Sequence, residues 1–137
     1  MTDELHKKLT ALNALKRKIQ RAEMELEEFY TLIGGLTAIR YDTDRVQTSL
    51  EDVLSKNMAQ LDEMQRRLNE LRSQVPVVME SVTGLINKLE DEKGKTILYY
   101  RFISNVKFDD IANKMGYSRQ NIYRIYGESI KNLERIE

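Results

Sequence analysis

Within Gly116-Tyr117-Ser118-Arg119-Gln120-Asn121-Ile122-Tyr123-Arg124-Ile125-Tyr126, four side chains carry paired or forked donors: Arg119, Gln120, Asn121 and Arg124. A guanidinium can give two parallel hydrogen bonds to guanine O6 and N7, and a carboxamide can pair with adenine N6 and N7. Folding alone accounts for most of their neighbours. Gly116 suits a turn of positive φ, Ser118 a helix N-cap, and Ile122, Ile125 and Tyr126 the spacing of a buried face. Arg119, Gln120, Asn121 and Arg124 are therefore the candidate base-reading residues. Lys107, Lys114, Ser118, Tyr123 and Lys131 are the candidate phosphate contacts, and the hydroxyls of Tyr99, Tyr100 and Tyr117 suit the same role.

Short helices are expected to position these groups. Thr96 to about Ile103 reads as a helix with Ile97, Leu98, Phe102 and Ile103 in the core, followed by a turn over Ser104-Asn105-Val106-Lys107. Phe108–Met115 reads as a second helix, with Phe108, Ile111, Ala112 and Met115 on its apolar face and Asp109 and Asp110 near the positive end of its dipole. A third runs from Ser118 to about Arg135, with Ile122, Ile125, Tyr126, Ser129, Ile130 and Leu133 turned inward. Small Ala112 allows a close crossing, and Gly116 allows the turn. This is the grammar of a helix-turn-helix, with residues 118–135 as the recognition helix.

The preceding two-thirds of the chain has a longer period. Leu5, Leu9, Leu12, Leu15, Ile19, Ala22, Leu26, Phe29 and Ile33 form a heptad stripe, which predicts a helix over 3–33 capped by Thr2 or Asp3. Gly34-Gly35 is expected to stop it and to open a connector over 34–48. Leu50, Leu54, Asn57, Leu61, Met64, Leu68, Leu71, Val75, Val78, Val82, Leu85 and Leu89 form a second stripe, with a kink or short break expected near Pro76. Two such seams predict an antiparallel hairpin of 3–33 against part of 50–89. The surplus seam of the second helix needs the C-terminal helices or a second chain to cover it. The expected fold is all-α: a long N-terminal helical hairpin or coiled coil over 1–92, then a three-helix helix-turn-helix bundle over 93–137.

Residues Ile97 to Ile136 resemble region 4 of the bacterial sigma-70 family. The resemblance rests on Leu98, Arg101-Phe102, Asp109-Asp110-Ile111-Ala112, Met115-Gly116, Ser118-Arg119, Ile122, Ile125 and Leu133. It implies that the last helix reads promoter DNA through Arg119, Gln120, Asn121 and Arg124. Lys107 departs from the Ser or Thr usual at the cap of the first motif helix. No promoter-melting region is present. Together with the coiled-coil portion and the connector Tyr41-Asp42-Thr43-Asp44-Arg45-Val46-Gln47, the chain is similar to the ArpU/RinA-like late-operon transcription regulators of phages of Gram-positive bacteria. That similarity implies control of late genes.

Charge supports an anionic partner for the C-terminal end only. Formal net charge is zero, but residues 1–92 hold 13 Lys+Arg and 17 Asp+Glu, and residues 93–137 hold 9 and 5. With no Cys, no phosphate-binding glycine loop and a single histidine, His6, read as solvated, neither an enzyme, a cofactor nor a metal site is expected. Asp42 and Asp44 beside Arg40 and Arg45 read as a surface turn rather than a carboxylate site. No secretory or membrane-spanning segment is expected, which suggests the cytoplasm. The expected partners are double-stranded DNA, a second copy through the long helices, and RNA polymerase. The alternative is a coiled-coil adaptor whose C-terminal bundle binds protein, either RNA polymerase or a phage assembly component.

Overall fold

The computed structural model describes residues 1–40 and 47–137. Among them are six helices and no strand: α1 (Asp3–Arg40), α2 (Gln47–Ser73), α3 (Val75–Ile86), α4 (Glu92–Phe102), α5 (Phe108–Met115) and α6 (Arg119–Ile136). The all-α expectation holds, with a long N-terminal helix and a helical C-terminal bundle.

Local chemistry sets several of the helix ends. Thr2 Oγ1 accepts from the Leu5 amide at 3.3 Å, so Thr2 caps α1. Asp91 caps α4 by accepting from the amides of Lys93 and Gly94, both at 3.3 Å. That helix consequently starts at Glu92, ahead of the Thr96 expected from periodicity. At Pro76 the chain breaks for one residue: Gln74 separates α2 from α3, and its carbonyl accepts from the Val78 amide at 3.0 Å. Proline stands in the first turn of α3, where its missing donor costs nothing.

One expectation fails. Gly34-Gly35 does not end α1, which continues to Arg40, and α2 already includes Gln47 and Thr48. A helical glycine costs about 1 kcal/mol relative to alanine, which weakens a helix without forbidding it. Stopping one through glycine takes a positive φ, and Gly116 alone among the described glycines has it. Of the expected connector 34–48, the stretch 41–46 lies outside the described residues, and with it Asp42, Asp44 and Arg45.

The structure divides into two compact units, 1–16 with 74–137, and 17–73. The boundary expected after residue 92 falls inside the first. In that unit, Leu5, Leu9 and Leu12 of α1 share a core with Val82, Leu85, Ile86 and Leu89 and with Leu98, Phe102, Ile103, Ile130 and Leu133 of the C-terminal helices. Each such aliphatic side chain, once fully buried, contributes about 1.5–3 kcal/mol. Polar ties reinforce the packing: Lys16 Nζ donates to the Ile103 carbonyl at 2.8 Å, and Glu137 receives Lys8 at 2.8 Å and Lys88 at 2.7 Å. The surplus seam after Pro76 is thus covered within the chain.

The second unit is an antiparallel pairing of α1 and α2. Leu26, Leu61 and Leu68 are buried, with Ile19, Ala22, Phe29, Ile33 and Met64 packed against them. Glu23 bonds Arg72 at 3.0 Å across the pair, near the opposite sequence ends of the two segments. The stripe residue Asn57 is half-buried.

Candidate nucleic-acid interface

Helices α4, α5 and α6 build the helix-turn-helix around Ile97, Ile111, Ala112, Ile122 and Ile125, all buried. Tyr126 seals this core, with its ring 5.0 Å from Phe108 in an edge-on arrangement and 6.3 Å from Phe102. Burial pushes the Tyr126 hydroxyl above its ordinary value, and the nearby positive charge of Arg101 opposes that shift.

The turn between α5 and α6 forms as its residues dictate. Gly116 adopts φ 70 and ψ 29, the left-handed conformation that a side chain disfavours, and its amide donates to the Ala112 carbonyl. Tyr117 donates to the same carbonyl at 3.0 Å. Ser118 is extended and its Oγ accepts from the Asn121 amide at 3.2 Å, which starts α6. Lys107 occupies the N-cap position of α5 without a side-chain capping bond, so Asp109 and Asp110 in the first turn are what favour that helix end.

Each sequence-selected residue has a definite place here. Arg119, Gln120 and Arg124 are exposed, whereas Asn121 is half-buried. Arg119 Nε lies 2.6 Å from Asp109 Oδ1, an ion pair that ties α6 to α5. Arg124 is engaged twice on its own helix. Its Nη1 pairs with Glu128 at 3.2 Å, and its Nη2 donates to the Asn121 carboxamide oxygen at 2.7 Å. Asn121 therefore serves Arg124 as an acceptor, and Gln120 is exposed beside them. The four do not form one uniform row, because about 100° of rotation per residue separates Arg119 from Arg124 around the axis.

Among the phosphate candidates, Lys107, Lys114 and Lys131 are exposed. Lys107 and Lys114 line one shallow concavity with Asn105, Val106, Asp110 and Asn113 beside the start of α5. Ser118 is exposed, with its hydroxyl engaged as the α6 cap. Tyr123 keeps its outer edge exposed and lays its ring 4.9 Å from Phe108. Phe108 is held in turn by the Arg101 guanidinium, 4.7 Å from the ring centre. Tyr99 is exposed, while Tyr100 and Tyr117 pack against the core. Lys93 sits 5.4 Å over the Tyr117 ring.

Asp109 and Glu128 are the residues that reading the sequence missed. Glu128 carried a usable signal, since it stands four residues after Arg124 on a helix. Asp109 carried none beyond its dipole role, because its partner lies across the turn. The arrangement offers forked donors and one exposed aromatic ring on the first turns of α6, each arginine paired with a carboxylate. Among the described residues, no group of His, Cys, Asp or Glu is placed to hold a metal ion, and no helix is long and apolar enough to cross a membrane.

The chain belongs to the family described as "protein of unknown function (DUF1492)", whose pattern matches residues 36–134. The match spans the helix-turn-helix through the body of α6 and leaves the first 35 residues outside. No curated protein and no solved structure matches the chain.

Proposed function

We propose that this member of the DUF1492 family is a sequence-specific double-stranded DNA-binding transcription regulator, with α6 as the recognition helix in the major groove. The observation that carries the reading is the division of labour on α6. Ile122, Ile125, Ser129, Ile130 and Leu133 are spent on packing, while Arg119, Gln120 and Arg124 stand exposed at its capped start. None of those three is buried in the core, and their donors match base edges. Lys107, Lys114 and Lys131 are exposed and are the proposed phosphate contacts. The resemblance to sigma-70 region 4 and to ArpU/RinA-like regulators agrees with this role and narrows it to phage late genes. Dimerisation through the long helices would set two recognition helices on repeated half-sites.

Fluorescence anisotropy tests the reading. The full chain is offered a randomised duplex pool about 20 base pairs long, room for two turns of DNA. Enrichment of a defined sequence, bound with an affinity that falls steeply between about 50 and 200 mM salt, is the expected result. Arg119→Ala and Arg124→Ala should bring the enriched duplex down to the affinity of a scrambled one. Equal binding of both duplexes by the wild-type chain defeats sequence reading.

The acidic partners of both arginines favour one second reading, an adaptor whose C-terminal bundle docks on protein such as RNA polymerase. It predicts no enrichment from the pool, and complex formation with polymerase that survives loss of Arg119.

A further inference from the structure

We propose that Asp109 is a specificity-determining positioning residue, which holds Arg119 so that its terminal guanidinium edge reads a guanine at the start of the recognition helix. The inference rests on the DNA-reading role of α6 proposed above and assigns a function to a residue on the neighbouring helix.

The two arginines of α6 are held in different ways. Arg124 has both terminal nitrogens engaged, Nη1 by Glu128 at 3.2 Å and Nη2 by Asn121 at 2.7 Å. Two of its five N–H groups are committed to its own helix, so a base competes with Glu128 and Asn121 for its terminal edge. Arg119 is held by charge, its Nε 2.6 Å from Asp109 Oδ1 in an ion pair across the turn. An arginine carries five N–H donors in a fixed plane, and the pairing through charge leaves the outer Nη1/Nη2 edge of Arg119 without a hydrogen bond among the described residues. That edge is the one that matches guanine O6 and N7.

The pair is poorly suited to a stabilising role. Both side chains are more than half exposed, 62% for Arg119 and 59% for Asp109. Ion pairs at such exposure contribute little to folding and weaken with salt. The dipole role of Asp109 in the first turn of α5 is shared by its neighbour Asp110. What Asp109 does alone is join Arg119 to the body of the helix-turn-helix across the turn. A long side chain paired with a carboxylate on the neighbouring helix loses part of its rotational freedom before DNA arrives, so less is lost on binding. The same carboxylate repels phosphate, which disfavours a backbone contact by Arg119 in non-cognate complexes. Both effects widen the gap between cognate and non-cognate DNA.

The experiment measures base discrimination. Wild type, Asp109→Ala, Asp109→Asn and Arg119→Ala are titrated against the duplex enriched by the wild-type chain, a scrambled duplex, and a set in which each guanine is replaced in turn by adenine. In wild type, one guanine replacement should weaken binding by tenfold or more, the scale of a lost bidentate contact, roughly 1–3 kcal/mol. Arg119→Ala should abolish that penalty. Asp109→Ala should shrink it severalfold and lower the ratio of enriched to scrambled affinity. Asp109→Asn keeps an oxygen of the same reach but not the charge, so it should retain part of the penalty while strengthening binding to all duplexes alike. If the guanine penalty stays intact in Asp109→Ala, the carboxylate is only a repulsive charge and this proposal falls, with the DNA-reading role left standing. If the wild-type chain enriches no sequence at all, both fall together. Circular dichroism of each variant separates loss of contact from loss of fold.

Discussion

Gly94 on α4 and Ser129 on α6 meet where an added methyl group forces a shift: a Cβ built on Gly94 lies 3.3 Å from Ser129 Cβ and overlaps its hydroxyl. Both residues are buried, and the two helices carry much of the helix-turn-helix core between them. Helix propensity favours Gly94→Ala by about 1 kcal/mol, whereas overpacking costs about 1–3 kcal/mol. The overlap with a buried neighbour puts this case at the upper end, so a net loss of about 1–2 kcal/mol is expected in urea denaturation. Adding Ser129→Ala should recover part of it, since the nearest clashing atom is gone. A rise in stability for the single variant would mean that α4 and α6 can separate freely.

Gly116 is the second glycine with a requirement of its own. At φ 70, Gly116→Ala should cost roughly 1–2 kcal/mol through backbone strain, and Gly116→Asn less. Space is not the constraint there, because an added Cβ meets nothing within 4 Å. Thermal unfolding of the two variants side by side checks the order; equal losses would point to crowding rather than strain.

Leu9 is fully buried, in a core shared with α3, α4 and α6. Leu9→Ala should therefore weaken the helix-turn-helix itself, by about 2–4 kcal/mol. Hydrogen exchange supplies the readout: amides of α4 and α6 should lose protection, although the substitution lies far from them in sequence. Protection unchanged in those helices would show that the first residues of α1 are dispensable to that core.

Acid should loosen the link between Glu137 and the lysines around it. Side-chain hydrogen bonds from Lys8 and then Lys88 hold the Glu137 carboxyl at about 2, below its ordinary 4.5. The same bond with Glu137, aided by its charge, raises Lys8. A carboxyl that titrates lower when folded adds stability above 4.5, and that contribution fades as pH falls toward 2. Glu137→Gln should flatten the stability profile over that window and leave the profile above it parallel to wild type. Denaturation midpoints across the acid range, at low and high salt, are the measurement. An identical acid slope in the variant would remove Glu137 from the account, and high salt should shrink the difference because these groups are exposed.

The legible part of the molecule was the part governed by local rules. Ile111 with Ala112, and Ile122 with Ile125, Ser129, Ile130 and Leu133, read as inward from spacing alone and are inward. Gly116 and Ser118 read as turn and cap from their chemistry, and a break at Pro76 follows from a missing donor. Gly34-Gly35 misled for an identifiable reason: glycine permits a stop but does not compel one, and the helix was not made to take the left-handed turn.

The sequence by itself determined which faces must be buried and where the turn of the helix-turn-helix falls, because period and capping act over a few residues. Only the tertiary structure decided what covers each face. One unbroken stripe along α1 serves two cores, with Leu5, Leu9 and Leu12 in the C-terminal one and Leu26 in the pairing with α2. A heptad specifies an apolar seam but is silent about its partner. The setting of Arg119 was decided the same way. Its type and exposure are local, but the Asp109 carboxylate that pairs with it comes from the preceding helix, and only the α5–α6 crossing brings the two within 2.6 Å.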